Sequence, residues 1–206
     1  MTILLANATI RAVVQLLLLA GVPLLVYTVY HRWRHRRRWS EIARRAGLSA
    51  SPLRYVLWSV ALALAVVVAI AVWSPPLELV TREGSAQRPF VGLGLSQAAV
   101  ALALLYGVVQ TGLTEEILFR GLIAGSLSRR LPILWANVGQ AFIFFLPHLL
   151  LLYVMPEAWP LLPLILVGAL VLGWLRIKSG SIIGPWLMHA SGNVAIALSV
   201  AIRTAT

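Results

Sequence analysis

The feature that most constrains this chain is a succession of apolar runs, each near the length needed to cross a bilayer. A transmembrane helix takes about 17–25 predominantly apolar residues. Such runs extend from Ala12 to Tyr30, Tyr55 to Trp73, Gln97 to Leu113, Ile133 to Val154, Trp159 to Leu175 and Ile182 to Ile202, the fifth being short. Lipid offers no partner for a free backbone N–H or C=O, so runs like these fold as helices. The expectation is an all-α, polytopic transmembrane bundle of about six spans. Composition supports it: 60% of residues are hydrophobic and 11% charged, against about 25% charged in ordinary globular domains. A soluble fold of 206 residues has no interior large enough for that much apolar surface.

The arrangement divides into an N-terminal part, residues 1–95, holding two spans, a basic loop and an external loop, and a core, residues 96–206. The segment Glu115 to Arg130 is helical in pattern but too polar to face lipid, so it reads as a short polar helix between the third and fourth spans. The first run is preceded by only one basic residue, Arg11, and followed by many, the reverse of a cleavable signal peptide. It is expected to be retained.

Arginine placement sets the expected orientation. The loop His31–Arg54 carries Arg32, Arg34, Arg36, Arg37, Arg38, Arg44, Arg45 and Arg54; Arg129 and Arg130 precede the fourth span; Arg176 and Lys178 separate the fifth from the sixth. Those twelve charges alternate onto one side, against Arg11, Arg82, Arg88 and Arg203 on the other. The basic loops are therefore expected in the cytoplasm and both termini outside, as in a multi-pass protein of a bacterial or archaeal cell membrane. Within the basic loop, Trp39, Ile42, Ala43 and Ala46 recur at helical spacing, with Glu41, Arg44 and Arg45 on the other face. This pattern describes an interfacial amphipathic helix anchored by Trp33 and Trp39, its arginines on anionic lipid headgroups. A high isoelectric point can also signal nucleic-acid binding, but juxtamembrane basic loops are what the positive-inside bias produces, and no nucleic-acid partner is expected.

With no cysteine, thiolate catalysis and cysteine-based metal sites are excluded. Ionisable and polar groups within spans are costly and usually functional. They fall in three places: Glu115, Glu116 and Arg120 after the third run; His148 behind Phe144; and His189 with Asn193 in the last span. Glu116 and Arg120 stand four apart on one helix face and can pair, leaving Glu115 turned aside toward a cavity. An unpaired carboxylate in a cleft suits a general base. His189 and Asn193 also stand four apart and supply donors suited to an oxyanion. Blander readings remain open for each alone: a Thr114-capped acidic helix start, a core histidine at 148 bonded to a carbonyl freed by Pro147, a snorkelling Arg120, and Asn193 as glue between helices.

Taken in order, Glu115-Glu116-x-x-x-Arg120, Phe144-x-x-x-His148 and His189-x-x-x-Asn193 resemble the three motifs of the CAAX-protease and bacteriocin-processing membrane peptidases, the CPBP or ABI family. The resemblance runs from about Ser96 to Val200 and departs from the pattern at Pro147, which breaks a helical hydrogen bond just before the motif histidine. It implies a membrane-embedded endopeptidase acting on a membrane-associated peptide or protein. Glu115 and His148 would activate a water, His189 and Asn193 would hold the oxyanion, and Glu116, Arg120 and Phe144 would support them. The resemblance is compatible with metal-independent catalysis, which is preferred here, or with a zinc ion on Glu115, His148 and His189; there is no His-Glu-x-x-His pair. Two other classes stay open: a catalytically silent scaffold or immunity protein of the same family, and a small proton-coupled transporter.

Overall fold

The computed structural model describes residues 2–205, and every regular element among them is helical. Six helices are long and apolar enough to cross a membrane: α1 (Ile3–Arg34), α3 (Leu53–Val72), α5 (Gln97–Leu127), α6 (Ile133–Tyr153), α7 (Pro156–Ser179) and α8 (Ile183–Arg203). Two short helices lie in the connections, α2 (Trp39–Arg45) and α4 (Leu77–Thr81). The chain is an integral multi-pass membrane protein. Leu17, Leu18, Leu64, Val68, Phe142 and Val167 stay exposed on the spans, where the only suitable neighbour is lipid.

The last helix, α8, packs along both α3 and α5, and α6 packs with α7. Close approach rests on small residues, as it does wherever lipid makes burial of apolar groups no driving force. Ala190, Ala197 and Ala201 are buried on α8. Opposite them on α5 is Gly107, where a Cβ would stand 2.7 Å from Cγ2 of Val194. At the end of the bundle away from the basic loop, Val80 and Phe90 of the connection between α3 and α5 fold onto Ala99, Leu102, Ala103 and Val200.

Two expectations are revised. The polar segment at Glu115 is not a separate short helix. It continues α5 to Leu127, and it does so in π-helical form, Leu105–Leu113 and Glu116–Ala124, with Thr114 and Glu115 between. Polarity does not exclude it from the span because Glu116 and Arg120 are completely covered by protein. The apolar side of α2 is also divided. Trp39 and Trp33 are exposed, as anchors at a bilayer surface would be, whereas Ile42 and Ala46 are buried against the protein itself. The turn after α2 is stitched to the core: the Gly47 carbonyl accepts the Ile182 N–H at 3.0 Å, and the Ser49 carbonyl accepts Oγ–H of Ser181 at 2.6 Å.

Candidate active site

The π-helical form of α5 determines which side chains meet. Each π-turn closes an i→i+5 bond and leaves the backbone wider than in an α-helix. Side chains add hydrogen bonds to carbonyls of this segment. Thr111 Oγ1 donates to the Tyr106 carbonyl at 2.9 Å, and Thr114 Oγ1 to that of Val109 at 3.1 Å. Trp186 of α8 sends its indole N–H to the Val108 carbonyl at 2.8 Å, fastening α8 to the widened turn.

One turn further on are the acidic residues. Arg120 and Glu116 pair at 3.3 Å with neither exposed. The same Glu116 oxygen, Oε1, accepts from Nδ1 of His189 at 2.9 Å. Nε2 of His189 is thereby turned toward Glu115, whose Oε2 lies 3.9 Å away. Glu115 keeps 21% of its side chain exposed, against none for Glu116. The two neighbouring carboxylates therefore do different work: one is consumed by an arginine and a histidine, and the other keeps its oxygens largely free.

Phe144 joins this cluster to His148. The Arg120 guanidinium lies 4.2 Å from the Phe144 ring centre, a cation–π contact in a desolvated place. The His148 ring lies 4.5 Å from the same ring, and the His189 ring meets it edge-on at 6.5 Å. Phe119 braces it from α5 at 4.9 Å. His148 Nδ1 is 2.8 Å from the Phe144 carbonyl. A carbonyl and a carboxylate can only accept, so both histidines carry their proton on Nδ1 and leave Nε2 to the site. Pro147 sits inside α6 without ending it, the helix running on to Leu149 before the turn at Leu150. The carbonyl that orients His148 is thus that of Phe144, one residue beyond the carbonyl a proline at 147 leaves free.

Asn193 stands apart from this group. Its Nδ2 donates to Thr111 Oγ1 at 2.7 Å, which uses one of its two amide hydrogens. Six of the seven residues singled out in the sequence, Glu115, Glu116, Arg120, Phe144, His148 and His189, are linked through Phe144 and Glu116, and Asn193 lies one helical turn along α8 in contact with α5. Among the described residues no three His, Asp or Glu side chains converge as a group able to hold a metal ion.

Thr111 and Arg176 were not among the residues read from the sequence. Thr111 carries a signal: Gly107 and Gly112 stand five apart, one π-turn, where α8 comes close, and Thr111 lies between them. Arg176, a loop charge by its place between the fifth and sixth runs, is buried, and its Nε donates to the Arg120 carbonyl at 3.0 Å.

Residues 97–195 match the family model described as type II CAAX prenyl endopeptidase Rce1-like, a stretch that contains all seven of these residues. No curated protein and no solved structure matches the chain.

Proposed function

Since the chain belongs to the CAAX-protease family through residues 97–195, we propose that it is an intramembrane endopeptidase that hydrolyses a peptide bond of a membrane-associated peptide or protein without a metal ion. The observation that carries this reading is the contrast between the two carboxylates: Glu115 is partly exposed beside Nε2 of His189, while Glu116 is buried and spent on Arg120 and His189. A base needs free oxygens within reach of the proton it removes.

In the proposed reaction Glu115 takes a proton from a water molecule, assisted by the free Nε2 of His148, as the water oxygen adds to the scissile carbonyl. The C=O electron pair moves onto oxygen. That oxyanion is held by His189, donating from Nε2 in its protonated form, and by the second amide hydrogen of Asn193. Collapse breaks the C–N bond, and the proton held by Glu115 passes to the leaving nitrogen. Preorganised donors of this kind typically contribute a factor of about 10²–10³ each. Phe144, Glu116 and Arg120 act on geometry: the ring and the carboxylate set the planes of the two imidazoles.

The test is proteomics on cells lacking the protein, complemented with wild type or Glu115→Ala. A peptidase restores a set of cleaved termini only with wild type. Equal rescue by both would support the silent-scaffold reading instead. Orientation is part of the proposal. The basic loops are cytoplasmic, so reporter fusions at Glu83 and Gly47 should give opposite signals, with Gly47 inside; the reverse pattern would place the site on the other face.

A further inference from the structure

Arg176 sits in the last turn of α7 with 5% of its surface exposed. Its Nε donates to the Arg120 carbonyl and its second terminal nitrogen to the Arg45 carbonyl, each at 3.0 Å. The Arg45 carbonyl also accepts from Arg129 at 3.1 Å. Among the described residues Arg176 has no carboxylate within ion-pairing distance. A buried guanidinium without a counter-charge is an expensive way to join helices, and an apolar side chain would serve packing better. Its surroundings are nevertheless shaped for it. A Cβ at Gly47, where φ is +76°, would stand 2.7 Å from Nε, and one at Gly125 would stand 2.9 Å from the terminal nitrogen. Gly121 lets the loop in: a Cβ there would stand 2.8 Å from the Ala46 carbonyl. Three glycines from two segments leave room for one guanidinium and the turn it holds.

The carbonyl it grips is the informative part. The Arg120 carbonyl accepts the Gly125 N–H, the i→i+5 bond at the C-terminal end of the π-helical segment that begins at Glu116. From Arg120 the connections run through its guanidinium to Glu116, from Glu116 to Nδ1 of His189, and from Nε2 of His189 toward Glu115. We infer that Arg176 is a positioning residue of the proposed peptidase: by holding the Arg120 carbonyl it pins the π register that points Glu116 at His189, and it ties that register to the turn following α2. This rests on the reading of Glu115 as the base. π-Turns are rare and frequent at functional sites, and Arg176 holds the carbonyl at the end of this one.

The experiment uses the full chain in lipid nanodiscs with histidines labelled by ¹³C and ¹⁵N, the His189 signal being identified by its loss in His189→Gln. Arg176→Gln, Arg176→Lys and Gly125→Ala are compared for melting temperature, for the His189 imidazole resonances, and for kcat and KM on a peptide that wild type cleaves and Glu115→Ala does not. Arg176→Gln is expected to lower kcat on the order of 10²-fold, the scale of a misplacement of about 1 Å, with KM little changed and the His189 resonances displaced. Arg176→Lys keeps the charge and one donor and should recover part of both. Gly125→Ala crowds the same guanidinium and should move both readouts in the same direction as Arg176→Gln. If Arg176→Gln does not fold, the other two variants carry the comparison. Unmoved His189 resonances, whether or not the melting temperature falls, would overturn the inference and leave Arg176 a packing residue. If instead wild type and Glu115→Ala behave alike on every peptide, the peptidase reading fails, and the resonances still decide whether Arg176 positions the site.

Discussion

Glu115 and Glu116 are neighbours in the chain, yet their surroundings on α5 are opposite. Glu116 has no exposed surface, lies 3.3 Å from Arg120 and accepts from His189 at 2.9 Å. Glu115 keeps 21% of its side-chain surface exposed, and its Oε2 lies 3.9 Å from Nε2 of His189. One side of the motif helix is buried and charge-paired through Oε1 of Glu116, with Glu116 Oε2 and the Arg120 nitrogens making no hydrogen bond, and the other is partly exposed. The difference shows how a single helix divides structure from chemistry. A buried charge must be paired to be tolerated, whereas a reacting carboxylate has to keep a lone pair unclaimed. Placing the two next to each other lets the buried side hold His189 in place for the exposed one.

The sharpest way to break this contrast is Glu115→Gln. It keeps shape and removes the base, so cleavage should fall about 10²–10⁴-fold, the range of general-base catalysis, while thermal unfolding in detergent stays at the wild-type temperature. Loss of stability to the same degree as for Glu116 would mean that the two sides are not distinct. Glu116→Gln should show the converse emphasis. It strands Arg120 without a counter-charge, and breaking a buried pair costs about 3–5 kcal/mol, read as an early unfolding midpoint; an unchanged midpoint would remove the buried-pair description.

Asn193→Ala extends the comparison to the oxyanion. A lost donor costs about 10²–10³ in turnover without greatly weakening substrate binding, because the bond strengthens in the transition state. Thr111→Val is its control, because it removes the hydroxyl that Asn193 holds at 2.7 Å and leaves the amide in place. The same hydroxyl donates to the Tyr106 carbonyl, so the variant should lower stability by about 2 kcal/mol, two hydrogen bonds at about 1 kcal/mol net each, and change the rate little. Matching rates for the two variants would make Asn193 glue between α5 and α8. A modest effect is expected at Phe144→Leu, which keeps an apolar side chain and removes the ring beneath Arg120 and His148. A desolvated cation–π contact contributes about 2 kcal/mol, so calorimetry should register a loss of that order. A fully stable Phe144→Leu would show that the ring is packing alone.

Much of this arrangement is legible in the sequence. The six runs and the pairing of Glu116 with Arg120 depend on local spacing, and local spacing is written in the chain. Residues four apart share a helix face in the α form, and the π form observed at Glu116–Ala124 keeps the pair in contact. The assignment of Asn193 to the same projection as His189 followed the same rule, but its partner did not. Thr111 meets it only because α8 lies against a π-turn of α5. The basic loop teaches a similar lesson. Its helical spacing was readable, yet Ile42 and Ala46 face protein while Trp39 faces outward, a split that depends on what sits beside α2.

Taken by itself, then, the sequence determined that this is a six-span helical membrane protein with its ionisable groups gathered in three motifs, because transfer of apolar surface and of unpaired backbone into lipid depends on composition and length alone. The tertiary structure decided which nitrogen of each histidine faces the site, that Asn193 meets Thr111, and that Arg176, in sequence one more loop charge, is buried on the Arg120 carbonyl. Those outcomes turn on where a side-chain donor or a long guanidinium finds its partner. That partner lies on another helix, at a separation of 56 residues for Arg176 and Arg120, and only the packing of the bundle brings the two together.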